Sequence, residues 1–170
     1  MQSFGDAQVS AEALAGSTIT IEAEEPLNET LTALAEGLGC RINRLPEGKR
    51  ALYHASAGYG SQFVNVLLAE TATIWRDWGA SEEDVVRAIL PMIRGTLNAI
   101  EKDGIAGGMP GPVSRGDEKT VTAHVEALRE MEPERFTFYR THCGRTVDLA
   151  EEAGRIDAPT ANRIRKILSE

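Results

Sequence analysis

The stretch Lys49–Leu68, KRALYHASAGYGSQFVNVLL, decides how this 170-residue chain is read. Together with its flanks it predicts one long helix from Glu47 to Trp78, stopped by Gly79. Leu52, Tyr53, Phe63, Val64, Leu67, Leu68 and the alanines between them make it apolar nearly all round. A helix of that kind sits at the centre of a bundle or is buried in a subunit interface.

Against this background a narrow polar stripe stands out. At about 100° per residue, Arg50, His54, Ser61 and Asn65 share a sector of about 60°. Ala57 and Gly58 lie beside them and leave space. Polar groups over small residues on a buried helix can line a ligand cavity. The same stripe also suits a structural role, with His54 on a backbone carbonyl and Asn65 on another helix.

Downstream the chain reads as helical throughout. Ser81 with Asp84 resembles a capping box, and the helix it opens runs toward Asp103, with Pro91 kinking or splitting it. Within that helix, Leu90–Ile100 (LPMIRGTLNAI) places Arg94, Gly95 and Thr96 in an apolar run. Gly95 costs about 1 kcal/mol relative to alanine there. That fits either close packing of a helix or close approach of a ligand. Residues 104–116 hold five glycines and two prolines and form an ordered loop or a lid. In Gly111–Asp117 (GPVSRGD) this loop delivers Arg115 just before a helix start. Arg115 can pair there with a carboxylate or phosphate, or stand solvated beside a capping Asp117. Asp117 caps a helix through Glu130, Pro133 opens another through about Glu152, and Pro159 lies in the first turn of the last.

Upstream, Thr18–Glu22 alternates and is rich in β-branched residues, which reads as a strand. Leu27, Leu31, Leu34, Ala35 and Leu38 follow at helical spacing, Gly37 and Gly39 end that helix, and Cys40–Leu45 reads as a second strand. The result is a β-α-β piece. Such a crossover normally adds to a larger parallel sheet, and two strands alone are marginal in water. The chain is therefore expected to begin like the end of something larger. Its organisation is residues 1–46, the β-α-β piece, then residues 47–170, the helical domain.

Composition narrows the functional classes. Hydrophobic residues are 42% and charged residues 26%, an ordinary globular balance. With aromatics at 5%, the core must come from leucine, isoleucine, valine and alanine. A net charge of −8 argues against nucleic acid or an anionic membrane as the main partner, since both select clustered Lys and Arg. Cys40 and Cys143 form neither a disulfide framework nor a zinc site. No apolar run approaches a membrane span, and the first residues lack the features of a secretion signal, so the cytoplasm is expected. His54, His124 and His142 show no metal-ligand spacing. The chain has no G-x-G-x-x-G turn after a strand, no P-loop and no G-x-S-x-G elbow.

Gln2-Ser3-Phe4, Lys49–Leu68, Leu90–Ile100 and Gly111–Asp117, in that order, resemble one family. It is the helical domain that follows a Rossmann domain in NADP-dependent oxidoreductases, proteins similar in architecture to pyrroline-5-carboxylate reductase and 6-phosphogluconate dehydrogenase. The resemblance implies a mainly α fold. The helical bundle would be like the 6-phosphogluconate dehydrogenase C-terminal domain, preceded by a short β-α-β remnant of a Rossmann-type sheet. It further implies that NADP is bound by a nucleotide-binding part that this chain lacks, so the chain alone should hold no cofactor. The helical domain would complete the substrate pocket and form a homodimer. His54 matches the family's histidine in its K-x-L-Y-H stretch, here with Lys49 one place further off because Arg50 intervenes. Gln62 stands where such families often have asparagine.

Two functional readings follow. In the first, the chain is the substrate-binding and dimerisation portion of an oxidoreductase that passes a hydride to or from a carbonyl or imine carbon. His54 is then the catalytic proton donor or substrate hydrogen-bonding group. Arg50, Ser61, Asn65, Arg94, Thr96 and Arg115 bind the small-molecule substrate, with Arg94 and Arg115 on a carboxylate or on cofactor phosphates. In the second, the chain is a non-catalytic helical dimerisation or small-molecule-binding module and the stripe is structural.

Overall fold

β1 (Thr18–Ile21) and β2 (Arg41–Arg44) pair in parallel, with Thr18 opposite Arg41 and Ile21 opposite Arg44. A parallel pair needs a crossover, and α1 (Leu27–Gly37) supplies it. The computed structural model describes residues 8, 11 and 13–170; Gln2-Ser3-Phe4, quoted above, lie outside the described residues. Glu25 starts α1 by accepting the Glu29 N–H at 3.1 Å. Ala35 and Ile21 are buried where helix meets sheet, while Leu27 and Leu34 stay more than half exposed. A two-stranded sheet is too narrow to cover the apolar face of α1.

The stretch that reads as one helix is broken. α2 (Arg50–Ala57) passes into a 3₁₀ turn (Gly58–Gly60), and α3 (Gln62–Trp75) follows. Gly58 and Gly60 within three residues weaken the helix where it is already least supported. Ser61 leaves helical geometry altogether, at φ −130° and ψ −91°. Its hydroxyl closes the break by donating to Ala57 O at 2.7 Å. A second 3₁₀ turn (Arg76–Trp78) ends at Gly79, left-handed at φ 83°.

α4 (Glu82–Gly107) opens with the full capping box expected of Ser81 and Asp84. Asp84 N–H donates to Ser81 Oγ at 3.2 Å, and Ser81 N–H to Asp84 Oδ2 at 3.0 Å. Pro91 lies inside it and does not split it, splitting being one of the two outcomes the sequence left open. It is exposed, so solvent can take the Arg87 carbonyl that loses its donor. The departure comes instead at Gly104, with φ 77° and ψ 173°.

The remaining elements follow the sequence closely. They are a 3₁₀ turn (Val113–Arg115), α5 (Glu118–Arg129), α6 (Pro133–Glu152) and α7 (Ala158–Ser169). Asp117 and Asp157 cap α5 and α7 by accepting the N–H groups of Thr120 and Thr160. These three helices pack on one another around Val121, Val125, Val147, Ala150, Ala161 and Ile164. The core is aliphatic, as a chain poor in aromatics requires.

The fold is thus mainly helical with a small two-stranded parallel sheet. Its contacts separate the residues up to Ala69 from Glu70–Glu170. That division falls inside α3, well after the last strand, which ends at Arg44.

Candidate functional site

The break between α2 and α3 creates a cleft. Ala51, His54, Ala55, Gly58, Ser61 and Gln62 line it, with Ala57, around a volume of about 450 Å³. Alanines and Gly58 supply the space; a Cβ on Gly58 would stand 3.0 Å from Gln62 Nε2, so the Gln62 side chain would have to shift to admit one. His54 is exposed at this cleft. Among the described residues its imidazole has no hydrogen-bond or ion-pair partner. The structural role considered for it, a bond to a backbone carbonyl, is not taken up.

The other residues of the predicted stripe divide. Ser61 lines the cleft, but its hydroxyl proton is committed to Ala57 O. Arg50 does not line it. Its Nε donates to Glu22 Oε2 at 2.8 Å, and Gly48 N–H takes the second Glu22 oxygen at 3.1 Å. Asn65 is exposed on α3 and outside the cleft lining. Helical phasing through Gly58–Ser61 fails once the helix breaks there, and that is why only His54 and Ser61 of the stripe share one wall.

Arg94, Thr96 and Arg115 belong to the second unit. Arg94 is exposed on α4, without a partner among the described residues. Thr96 turns its hydroxyl back onto Met92 O at 3.2 Å. Arg115 lines a different cleft, of about 530 Å³, with Gly116, Gly154, Arg155, Asp157 and Thr160. Its backbone is held by Ser114, buried, whose Oγ lies 3.1 Å from Met109 O and 3.0 Å from Gly111 O. Sequence reasoning missed Arg155 and Thr160 at this site; neither belongs to a motif or a period.

A third polar cluster joins α5 to α6. His124 Nδ1 and Tyr139 Oη are 2.9 Å apart, and Tyr139 also bonds Cys143. Burial pushes both the Tyr139 phenol and the Cys143 thiol up, so both stay protonated at neutral pH. Cys143 is a partly buried thiol packed against the core, and its raised pKa disfavours the reactive thiolate.

No group of three or more metal-ligating side chains occurs among the described residues, and no helix among them is long and apolar enough to cross a membrane. No curated protein and no solved structure matches the chain. One family model does match, over residues 17–146, from the residue before β1 well into α6. With well over half of its length covered, the chain belongs to the family described as Domain of unknown function (DUF2520).

Proposed function

We propose that this chain is the substrate-binding and dimerisation portion of an NADP-dependent oxidoreductase, one that passes a hydride to or from a carbonyl or imine carbon. The observation that carries the reading is the free, exposed imidazole of His54 in a cleft with Ser61 and Gln62, beside small residues that leave room for a small molecule. Within the resemblance to the helical domain that follows a Rossmann domain, His54 is the proton donor or the group that hydrogen-bonds the substrate. The chain contains no G-x-G-x-x-G turn, so NADP would be held by residues outside it. Arg94 and Arg115 are the cations available for a substrate carboxylate or the cofactor phosphates.

The dimerisation part rests on exposure. Leu52 and Tyr59 are 68% and 75% exposed, and Phe63, Val66 and Leu67 on α3 are each more than 40% exposed. An apolar face of that kind marks an interface, and a second copy is the partner the reading assigns to it. Both cysteines are free thiols, which fits the cytoplasm.

The test is His54→Ala in the protein carrying this portion together with its nucleotide-binding domain. Turnover should fall roughly 10²- to 10⁴-fold with the circular dichroism spectrum unchanged. Unchanged turnover sinks the catalytic role. Loss of folding with no separate kinetic defect favours the non-catalytic module.

A further inference from the structure

We infer that the cleft between Arg115 and Arg155 is an oxyanion site for the phosphate group of a small phosphorylated molecule. It shares Arg115 with the reading above but rests neither on hydride transfer nor on His54.

The two arginines reach one cleft by separate routes. Arg115 ends the 3₁₀ turn Val113–Arg115, followed by Gly116 in the left-handed region at φ 70°. A Cβ on Gly116 would stand 2.9 Å from Thr160 Cγ2, so the turn lies hard against the start of α7. Arg155 follows Gly154, left-handed at φ 67°, and lies in the short link between α6 and α7. Two loops of different origin therefore each place an arginine in the lining of one cleft.

Arg155 is fixed in place. Its Nη1 donates to Ala106 O at 2.7 Å and to Gly107 O at 2.8 Å. Nε and Nη2 have no hydrogen-bond acceptor among the described residues. Arg115 has a fixed backbone and a side chain with no hydrogen bond or ion pair among those residues. One arginine is thus oriented in advance, and the other can close on what arrives, which lowers the ordering cost of binding.

Charge and stereochemistry select the ligand. Asp157 is the acidic group in the cleft lining, and its Oδ1 already accepts the Thr160 N–H at 2.9 Å. The start of α7 is therefore satisfied by its own cap and is not what attracts the anion. The lining carries two cations against one carboxylate. A carboxylate needs a single guanidinium fork, whereas donors from two directions suit the several oxygens and double charge of a phosphate.

The experiment is a titration of the full chain with inorganic phosphate, followed by NMR at the arginine Nε–H resonances. Arg129 and Arg140, both stacked on Phe136, serve as internal references. The expected result is saturable shifts at Arg115 and Arg155 but not at the references, with affinity reduced roughly tenfold in Arg115→Gln. That variant changes an exposed side chain that makes no hydrogen bond or ion pair among the described residues, so its backbone spectrum should match the wild type apart from the neighbourhood of Asp117, whose carboxylate feels the Arg115 charge. Arg155→Lys, which keeps a cation able to reach a carbonyl, should also weaken binding. Shifts that rise together at all arginines without saturating would mean an adventitious ion only and would overturn the site. Saturation unaltered by Arg115→Gln would overturn it equally.

Discussion

Arg135 on α6 and Glu70 on α3 form an ion pair with only 19% and 24% of their side chains exposed. The pair pins the second half of α3 to α6. Arg135 Nε is buried and has no acceptor, so the guanidinium already carries one unmet donor. Removing Glu70 leaves a largely desolvated charge with the longer contact to the exposed Glu132, 3.5 Å from Nη2, in place of its main partner. Glu70→Ala should therefore destabilise the fold by roughly 1–3 kcal/mol, below the range for a fully buried pair because about a fifth of each group still meets water. Urea unfolding checks this, and an unshifted midpoint would refute it.

Acid should weaken the helix starts together. Asp84, Asp117 and Asp157 are held below their ordinary value of 3.8, chiefly by the side-chain hydroxyls of Ser81, Thr120 and Thr160. Each folded-state value lies under the unfolded one. The unfolded chain thus binds more protons in acid, and the stabilisation is complete above about pH 4 and lost below it. The thermal midpoint should decline as pH falls through that window. Asparagine, which caps without titrating, should flatten the decline at each position. Equal pH profiles for the wild type and the triple Asn variant would contradict the assignment.

Gly116 and Gly95 should respond oppositely to alanine. Gly116 has φ 70° and Thr160 Cγ2 at 2.9 Å from a built Cβ, so Gly116→Ala meets both backbone strain and a clash. The backbone part alone is about 1–2 kcal/mol. Gly95 lies inside α4 with nothing within 4 Å of its Cβ position. Gly95→Ala should stabilise the chain by up to about 1 kcal/mol. Parallel calorimetry separates them, and a destabilising Gly95→Ala would show a close approach the chain does not contain.

Much of the fold is legible from local signals. Alternation marked β1, and Pro133, Pro159 and the capping aspartates marked the starts of α5, α6 and α7 nearly to the residue. What the letters concealed was non-local or conformational. Gly58 and Gly60 were visible, but the apolar run around them outweighed two glycines until Ser61 left helical geometry. Asp103 as the end of regular helix was legible, and the chain leaves helical geometry at the next residue, Gly104; Pro91 does not split the helix. Arg50 stood on the polar stripe by periodicity, yet Glu22, far earlier in the chain, claims it. Of the candidate site, His54 and its small neighbours were readable as one helix face. Arg155 was not, since a link between helices has no period to read.

The proposed function depends on the uncovered face of α2 and α3 being covered by a second copy. Sedimentation equilibrium of the chain at micromolar concentration tests this most directly. The expected mass is twice the 18.4 kDa of one chain, falling to one chain in Phe63→Glu. A wild-type mass of 18.4 kDa under those conditions would contradict it.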